Sequence, residues 1–82
     1  MSGEGKKQHL RDEETLKYLA KRLKELRVAA GMSQQRLANE AGIEQSLIGN
    51  IETAKGNPTV SVLAVIAKTL GVPLYELFKF EE

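Results

Sequence analysis

The sequence predicts an all-α fold, a compact domain of five short helices. Two features carry that prediction. Apolar residues recur at steps of three and four in successive windows, as one face of a helix requires. Between those windows stand Gly31, Gly42, Pro58, Gly71 and Pro73, and the loops they mark are too short for anything but closely packed helices.

Residues 1–9 (MSGEGKKQH) are polar and glycine-containing and read as a flexible tail ahead of one domain spanning 10–82. Asp12, Glu13 and Glu14 suit the positive end of a helix dipole, so a first helix is predicted over about 12–30. Its Leu16, Leu19, Leu23, Leu26 and Ala30 share a face, and Gly31 stops it. Ser33 is a good N-cap for a second helix that turns Leu37, Ala38 and Ala41 inward and ends at Gly42. A third helix is predicted over 45–53, followed by a loop, AKGNP, at 54–58. Thr59 caps a fourth helix in which Leu63, Ile66, Ala67 and Leu70 fall at i, i+3, i+4 and i+7. The valine-rich stretch TVSVLAVIA admits a strand, but its length and that spacing decide for a helix. Gly71 ends it, and Pro73 opens a last turn or two through Phe78, so the C-terminal helices span 60–78.

Composition narrows the function. A chain of 82 residues makes one small domain that buries only about 60–65% of its unfolded surface. With no cysteine there are neither disulfides nor thiolate metal sites, which fits a reducing cytoplasm. No apolar run approaches the roughly 18 residues of a membrane span, and the N-terminus lacks a signal-peptide core. A soluble cytoplasmic protein that does not enter membranes is the expectation. Twelve Lys and Arg against eleven Asp and Glu leave a net charge of +1, which alone is no nucleic-acid signal. Between Leu16 and Asn57, however, seven basic residues face four acidic ones, a mild lean toward an anionic partner.

An enzyme is not expected. The single histidine, His9, lies in the tail, and no carboxylate pair sits in an apolar setting. No phosphate-cradling glycine loop or metal-ligand spacing appears, so no catalytic residue, cofactor, metal or small-molecule ligand is assigned.

One spacing does carry function. Counted from Gln34, Ala38 lies four residues on, Gly42 eight, Ile48 fourteen and Ile51 seventeen. That is the packing code of a helix-turn-helix, here over 34–53. Ala38 is small because the third helix crosses close above it. Gly42 permits the tight turn, Ile43 plugs the corner, and Ile48 and Ile51 seat the third helix.

Together, LKELRVAAGMSQQRLANEAGI, IGNIETAKGNPT and LAVIAKTLGVPLYELF resemble the Xre-type, lambda-repressor-like helix-turn-helix family over roughly residues 16–78. The resemblance implies a five-helix DNA-binding domain whose third helix lies in the major groove of double-stranded DNA. On a wheel of about 100° per residue, with Ile48 and Ile51 inward, Ser46, Asn50 and Thr53 fall on the opposite side beside Gly49. Gln45 projects from the first turn. Carboxamides pair with adenine N6 and N7 together, and Ser donates or accepts, so Gln45, Ser46 and Asn50 are the candidate base contacts. Gly49 lets the helix approach closely, and Leu47 at the edge offers contact to a thymine methyl.

Candidate phosphate contacts follow. Gln34 stands at the first turn of the second helix, where free N–H groups also point. Lys55 brings charge, and Gly56 and Asn57 bring backbone N–H groups, in the loop that follows. Thr53 and Arg36 complete the set. Glu52 lies on the inward half of the third helix, where a lone carboxylate is costly. The resemblance pairs it with Arg27 in a structural ion pair.

Departures from the family pattern are local. Arg36 stands where an acid usually completes a capping box, Glu44 replaces a Ser or Thr cap, and Ala54 replaces a helix-ending glycine, leaving that turn strained or its job to Gly56. One reading helix covers only a few base pairs, so a homodimer on a two-fold-symmetric site is expected. Val62, Val65, Leu74, Tyr75, Phe78 and Phe80 offer the interface, unless most of them, Leu74 and Phe78 above all, finish the core. The function expected is a sequence-specific regulator of transcription, a repressor. The alternative is a protein-interaction module on the same scaffold, such as an antitoxin.

Overall fold

Asp12 starts the first helix. In the computed structural model, which describes residues 10–80, its carboxylate accepts from the Thr15 N–H, and α1 runs Glu13–Ala29. The tail expected at 1–9, with His9, lies outside the described residues. The hydroxyls of Ser33 and Thr59 cap α2 (Gln34–Ala41) and α4 (Val60–Leu70) by accepting from the N–H groups of Arg36 and Val62. Between them lies α3 (Gln45–Glu52). Among the described residues there is no strand, and TVSVLAVIA is helical from Val60.

The expected fifth helix is a 3-10 helix, Leu74–Phe78. Its period corrects the core reading. Three residues per turn bring Leu74 and Leu77 to one side, whereas an α-helical period favours Leu74 with Phe78; Phe80 follows past the end of the helix. Leu77 is fully buried, Leu74 and Phe80 pack partly against the core, and Phe78 is 42% exposed. Ala30, expected inward, is the exposed C-cap of α1, and Ala41 is half-buried.

The core joins Leu19 and Leu23 of α1, Leu37 and Ala38 of α2, Ile48 and Ile51 of α3, and Leu63, Ile66 and Ala67 of α4, with Leu77 beneath them. Helices α1 and α2 both pack on α3, α2 packs on α4, and the 3-10 helix bridges α1 and α4. Arg22 locks that bridge: its Nε donates to the Glu76 carbonyl at 2.7 Å and its Nη2 to the Glu76 carboxylate at 2.6 Å. The outcome is a frame that grips α3 from two sides and leaves its third side to solvent. Among the described residues no helix is long and apolar enough to cross a membrane.

Candidate nucleic-acid interface

Between α2 and α3 the chain turns at Gly42, whose φ of +74° an L-residue with a side chain resists. The Ile43 N–H reaches back to the Ala38 carbonyl at 3.0 Å, and Ile43 packs on the core. Ala38 is fully buried, so any larger side chain there drives the two helices apart. Ile48 and Ile51 are buried to 0% and 2% exposure, and this fixes the roll of α3. Gln45, Ser46 and Asn50 consequently face solvent on its far side. Leu47 is half-buried and packs partly on the core, so only its outer edge is available. At Gly49 an added Cβ would meet the Gln34 Oε1 at 3.6 Å, an ordinary contact. Nothing in the protein's own packing therefore demands glycine there.

Behind this row lies a buried polar network. Arg27 donates from Nε to Glu52 Oε2 at 2.6 Å and from Nη2 to Oε1 at 3.0 Å, a two-pronged pair whose side chains are 11% and 3% exposed. Its Nη1 holds the Met32 carbonyl at 2.7 Å in the turn after α1. The hydrogen bond to Glu52 lifts the Arg27 guanidinium further above its already high pKa, so the charge is permanent. Gln34 donates from Nε2 to Glu52 Oε1 at 3.1 Å, and its own Oε1 faces the Gln45 amide at a long 3.5 Å. The chain of contacts thus runs from α1 through the base of α3 to the first exposed carboxamide. Sequence reading assigned Gln34 to phosphate; the structure gives it an orienting contact to Gln45 as well, a link that only the spatial approach of α2 and α3 reveals.

The remaining phosphate candidates differ in what they hold free. Lys55 is exposed. Arg36 pairs with Glu40 at 2.7 Å across one helical turn, an exposed pair that offsets its cation at the α2 N-terminus. The Thr53 hydroxyl donates back to the Gly49 carbonyl at 2.9 Å, because the carbonyl one turn earlier is its nearest acceptor. The Asn57 amide donates to the Leu10 carbonyl at 3.3 Å, and the Gly56 N–H to the Asn50 carbonyl at 2.9 Å. Of the N–H groups expected to face phosphate, that of Gly56 is therefore turned inward to close the loop.

Both ends of α3 depart from the expected chemistry. Glu44 makes no side-chain capping bond. Of the two options at the C-terminal end, the structure takes the strained one: Ala54 itself has φ +61°. Sequence reading missed Arg11, which donates to the Ala54 and Lys55 carbonyls; a lone Arg ahead of an acidic run gives no signal for a contact with so distant a loop.

The apolar C-terminal candidates divide. Val65, Tyr75 and Phe78 are 41%, 64% and 42% exposed, while Val62, Leu74 and Phe80 pack partly on their own core. Phe80 also stacks on Tyr18 with ring centroids 5.3 Å apart.

Residues 23–77, which contain the whole α2–turn–α3 unit, match the family model described as helix-turn-helix. The chain belongs to the helix-turn-helix family. Over 62 residues it is 40% identical to the HTH-type transcriptional regulator PuuR of Escherichia coli (strain K12), a match that covers 76% of this chain and 34% of that protein. It thus spans about a third of the length of that regulator. Among solved structures it resembles the restriction-modification controller protein C.AhdI from Aeromonas hydrophila (TM-score 0.75, 35% identity, covering 77% of this chain and 96% of that one). It also resembles the controller protein C.Esp1396I, solved as a tetramer with its natural 35 base-pair operator (TM-score 0.72, 29% identity, covering 79% of this chain and 86% of that one). The two solved structures share the overall fold of this chain.

Proposed function

We propose that this helix-turn-helix protein is a cytoplasmic, sequence-specific double-stranded DNA-binding regulator of transcription, a repressor that binds a two-fold-symmetric operator as a homodimer. The observation that carries the reading is the exposed row Gln45, Ser46 and Asn50 on α3, held rigid from behind by Ile48, Ile51 and the Arg27–Glu52–Gln34 network. Side chains that read base edges must be presented without slack, since each paired carboxamide is worth only about 1–3 kcal/mol of discrimination. Gly49 beside them keeps the surface low, and Lys55 and Arg36 supply charge for phosphate oxygens, with Gln34, Thr53 and Asn57 around the rim. Bound DNA would draw Arg36 from Glu40, an exposed pair that costs little to exchange.

The tetramer of C.Esp1396I on its natural operator supports a reading in which more than one copy of the chain meets operator DNA. Two copies of α3 on one face of a duplex lie about 34 Å apart, one helical turn, and the exposed Val65, Tyr75 and Phe78 supply apolar surface for that pairing. Repression follows most simply, since an occupied operator excludes other proteins from the same stretch.

Selection from random duplexes tests the reading. The purified chain should enrich an inverted repeat, and affinity should fall steeply with salt. Asn50→Ala and Gln45→Ala should each relax specificity at one base position while the helix content stays unchanged. No enrichment, or variants indistinguishable from wild type, would remove DNA from the account and favour a protein partner.

A further inference from the structure

The residues before α1 are tied to the loop that follows α3, across 43 and 44 positions of sequence. Arg11 donates from Nη2 to the Ala54 carbonyl at 3.0 Å and from Nη1 to the Lys55 carbonyl at 3.2 Å. Its Nε donates to Glu13 Oε2 at 2.8 Å, so the guanidinium fork is steadied from the first turn of α1 while it grips the loop. From the other side of the loop, the Asn57 amide donates to the Leu10 carbonyl at 3.3 Å. Within the loop the N–H groups of Lys55 and Gly56 converge on the Asn50 carbonyl, each at 2.9 Å. Gly56 sits so close that an added Cβ would stand 3.3 Å from the Asn50 Cβ. This is a loop built against the back of a candidate base contact.

The loop has a reason to need holding. Its chain reversal occurs at Ala54 with φ +61°, a left-handed conformation in which an alanine Cβ crowds the following carbonyl. The Ala54 and Lys55 carbonyls lie past the C-cap of α3 at Thr53, outside the helical ladder, and the planar fork of a guanidinium presents two N–H donors to them in a fixed geometry that a single ammonium does not.

We propose that Arg11 is a positioning residue for DNA binding: by clasping the Ala54 and Lys55 carbonyls it holds the reversal after α3, seats the loop behind Asn50 and sets where the Lys55 side chain meets the phosphate backbone. This rests on the reading of α3 as the helix that enters the groove, and it assigns a role outside the helix-turn-helix itself.

The test has two arms on the full chain, at a temperature where circular dichroism shows every variant folded. In the first, amide hydrogen exchange compares wild type with Arg11→Gln. The Lys55 and Gly56 amides should exchange roughly tenfold faster in the variant while those inside α4 do not change. In the second, affinity for the duplex that wild type selects is followed across a salt series. Arg11→Gln should bind about tenfold more weakly, with a salt slope shallower by about one. Arg11→Lys, which keeps the charge but lacks the planar fork that holds Glu13 and the two carbonyls from three separate nitrogens, should behave like Arg11→Gln. The loss in Arg11→Gln/Lys55→Gln should fall well short of the product of the single losses. Losses that multiply, or full rescue by lysine, would mean that Arg11 itself touches phosphate, and overturn the clasp. So would unchanged affinity, or unchanged loop exchange. If wild type selects no duplex, the DNA reading fails, and the exchange arm still decides whether Arg11 orders this loop.

Discussion

Arg27 and Glu52 meet with two parallel hydrogen bonds, at 2.6 and 3.0 Å, beneath the helix that carries the candidate base contacts. Every fully buried side-chain nitrogen and oxygen among the described residues has a partner, and this pair accounts for the most deeply placed charges. Removing either partner strands the other in a nearly dry site and, for Glu52, also releases Gln34. Arg27→Ala and Glu52→Ala should therefore each lose about 3–5 kcal/mol, a large share of the roughly 5–10 kcal/mol available to a domain of this size. Arg27→Met with Glu52→Leu should lose much less, because no charge is left unpaired. Urea denaturation of wild type, Arg27→Met, Glu52→Leu and the double variant measures the coupling, and single and double variants of equal stability would show that the pair is idle.

Gly49 separates folding from binding. Glycine inside a helix costs about 1 kcal/mol relative to alanine, and the space around it accepts a methyl group at ordinary contact distance from Gln34. Gly49→Ala should raise stability by about 0.5–1 kcal/mol and lower affinity for the selected duplex. A variant less stable than wild type would mean that the protein, and not its partner, requires glycine there.

These residues also mark how far the sequence could be read. The caps at Ser33 and Thr59 were legible because their hydroxyls act on N–H groups three residues away, a local rule, whereas Asp12, read as the first acid of the helix, is its N-cap. The turn at Gly42 was legible for the same reason. The core role of Leu77 was not, because it depends on the last segment adopting a period of three, which Leu74 and Phe78 disguise. The contacts of Arg11, Gln34 and Asn57 were illegible in a stronger sense: each joins elements whose approach is set by packing elsewhere, and none leaves a mark in local spacing.

Ala54 is strained, and relief is measurable. Glycine at φ +61° avoids the Cβ clash of about 1–2 kcal/mol and gives back up to about 1 kcal/mol in chain entropy. Ala54→Gly should shift the urea midpoint upward by the equivalent of about 0.5–1 kcal/mol with an unchanged m-value. A drop in stability would show that the Ala54 methyl makes contacts worth more than the strain.

Acidity reports on the Arg11 fork. The hydrogen bond from Arg11, and then its charge, hold the Glu13 carboxyl below the usual carboxylate range. A folded-state pKa below the unfolded one adds stability that is fully present above the unfolded value, near about 4.3, and is lost as pH falls through the folded value. In an NMR titration the Glu13 carboxyl of Arg11→Gln should titrate at higher pH than in wild type. Any stability advantage of wild type over Arg11→Gln that arises from this pairing should shrink on acidification below about pH 4. Identical titration curves would mean that the pair does not persist in solution.

The proposed dimer rests on side chains that the protomer leaves partly uncovered, although Phe78 also meets the Phe80 ring edge-on at 6.0 Å. Val65, Tyr75 and Phe78 leave 41%, 64% and 42% of their surface uncovered, and Tyr75 and Phe78 stand three apart on a 3-10 helix, so they project along one edge. Charges placed there should spare the fold, because exposed substitutions rarely move stability by more than about 0.5 kcal/mol. Val65→Lys with Tyr75→Glu should accordingly keep its urea midpoint at low concentration while sedimentation equilibrium gives half the wild-type mass. On DNA the consequence is sharper. Two linked reading helices bind an inverted repeat far more tightly than one half-site, since the second contact is made at high effective concentration. The charged variant should lose that advantage and bind the full repeat no better than a single half-site, with base preferences within the half-site intact. A variant that keeps the wild-type mass would place the interface elsewhere, and one that unfolds would show that these residues complete the protomer's own core.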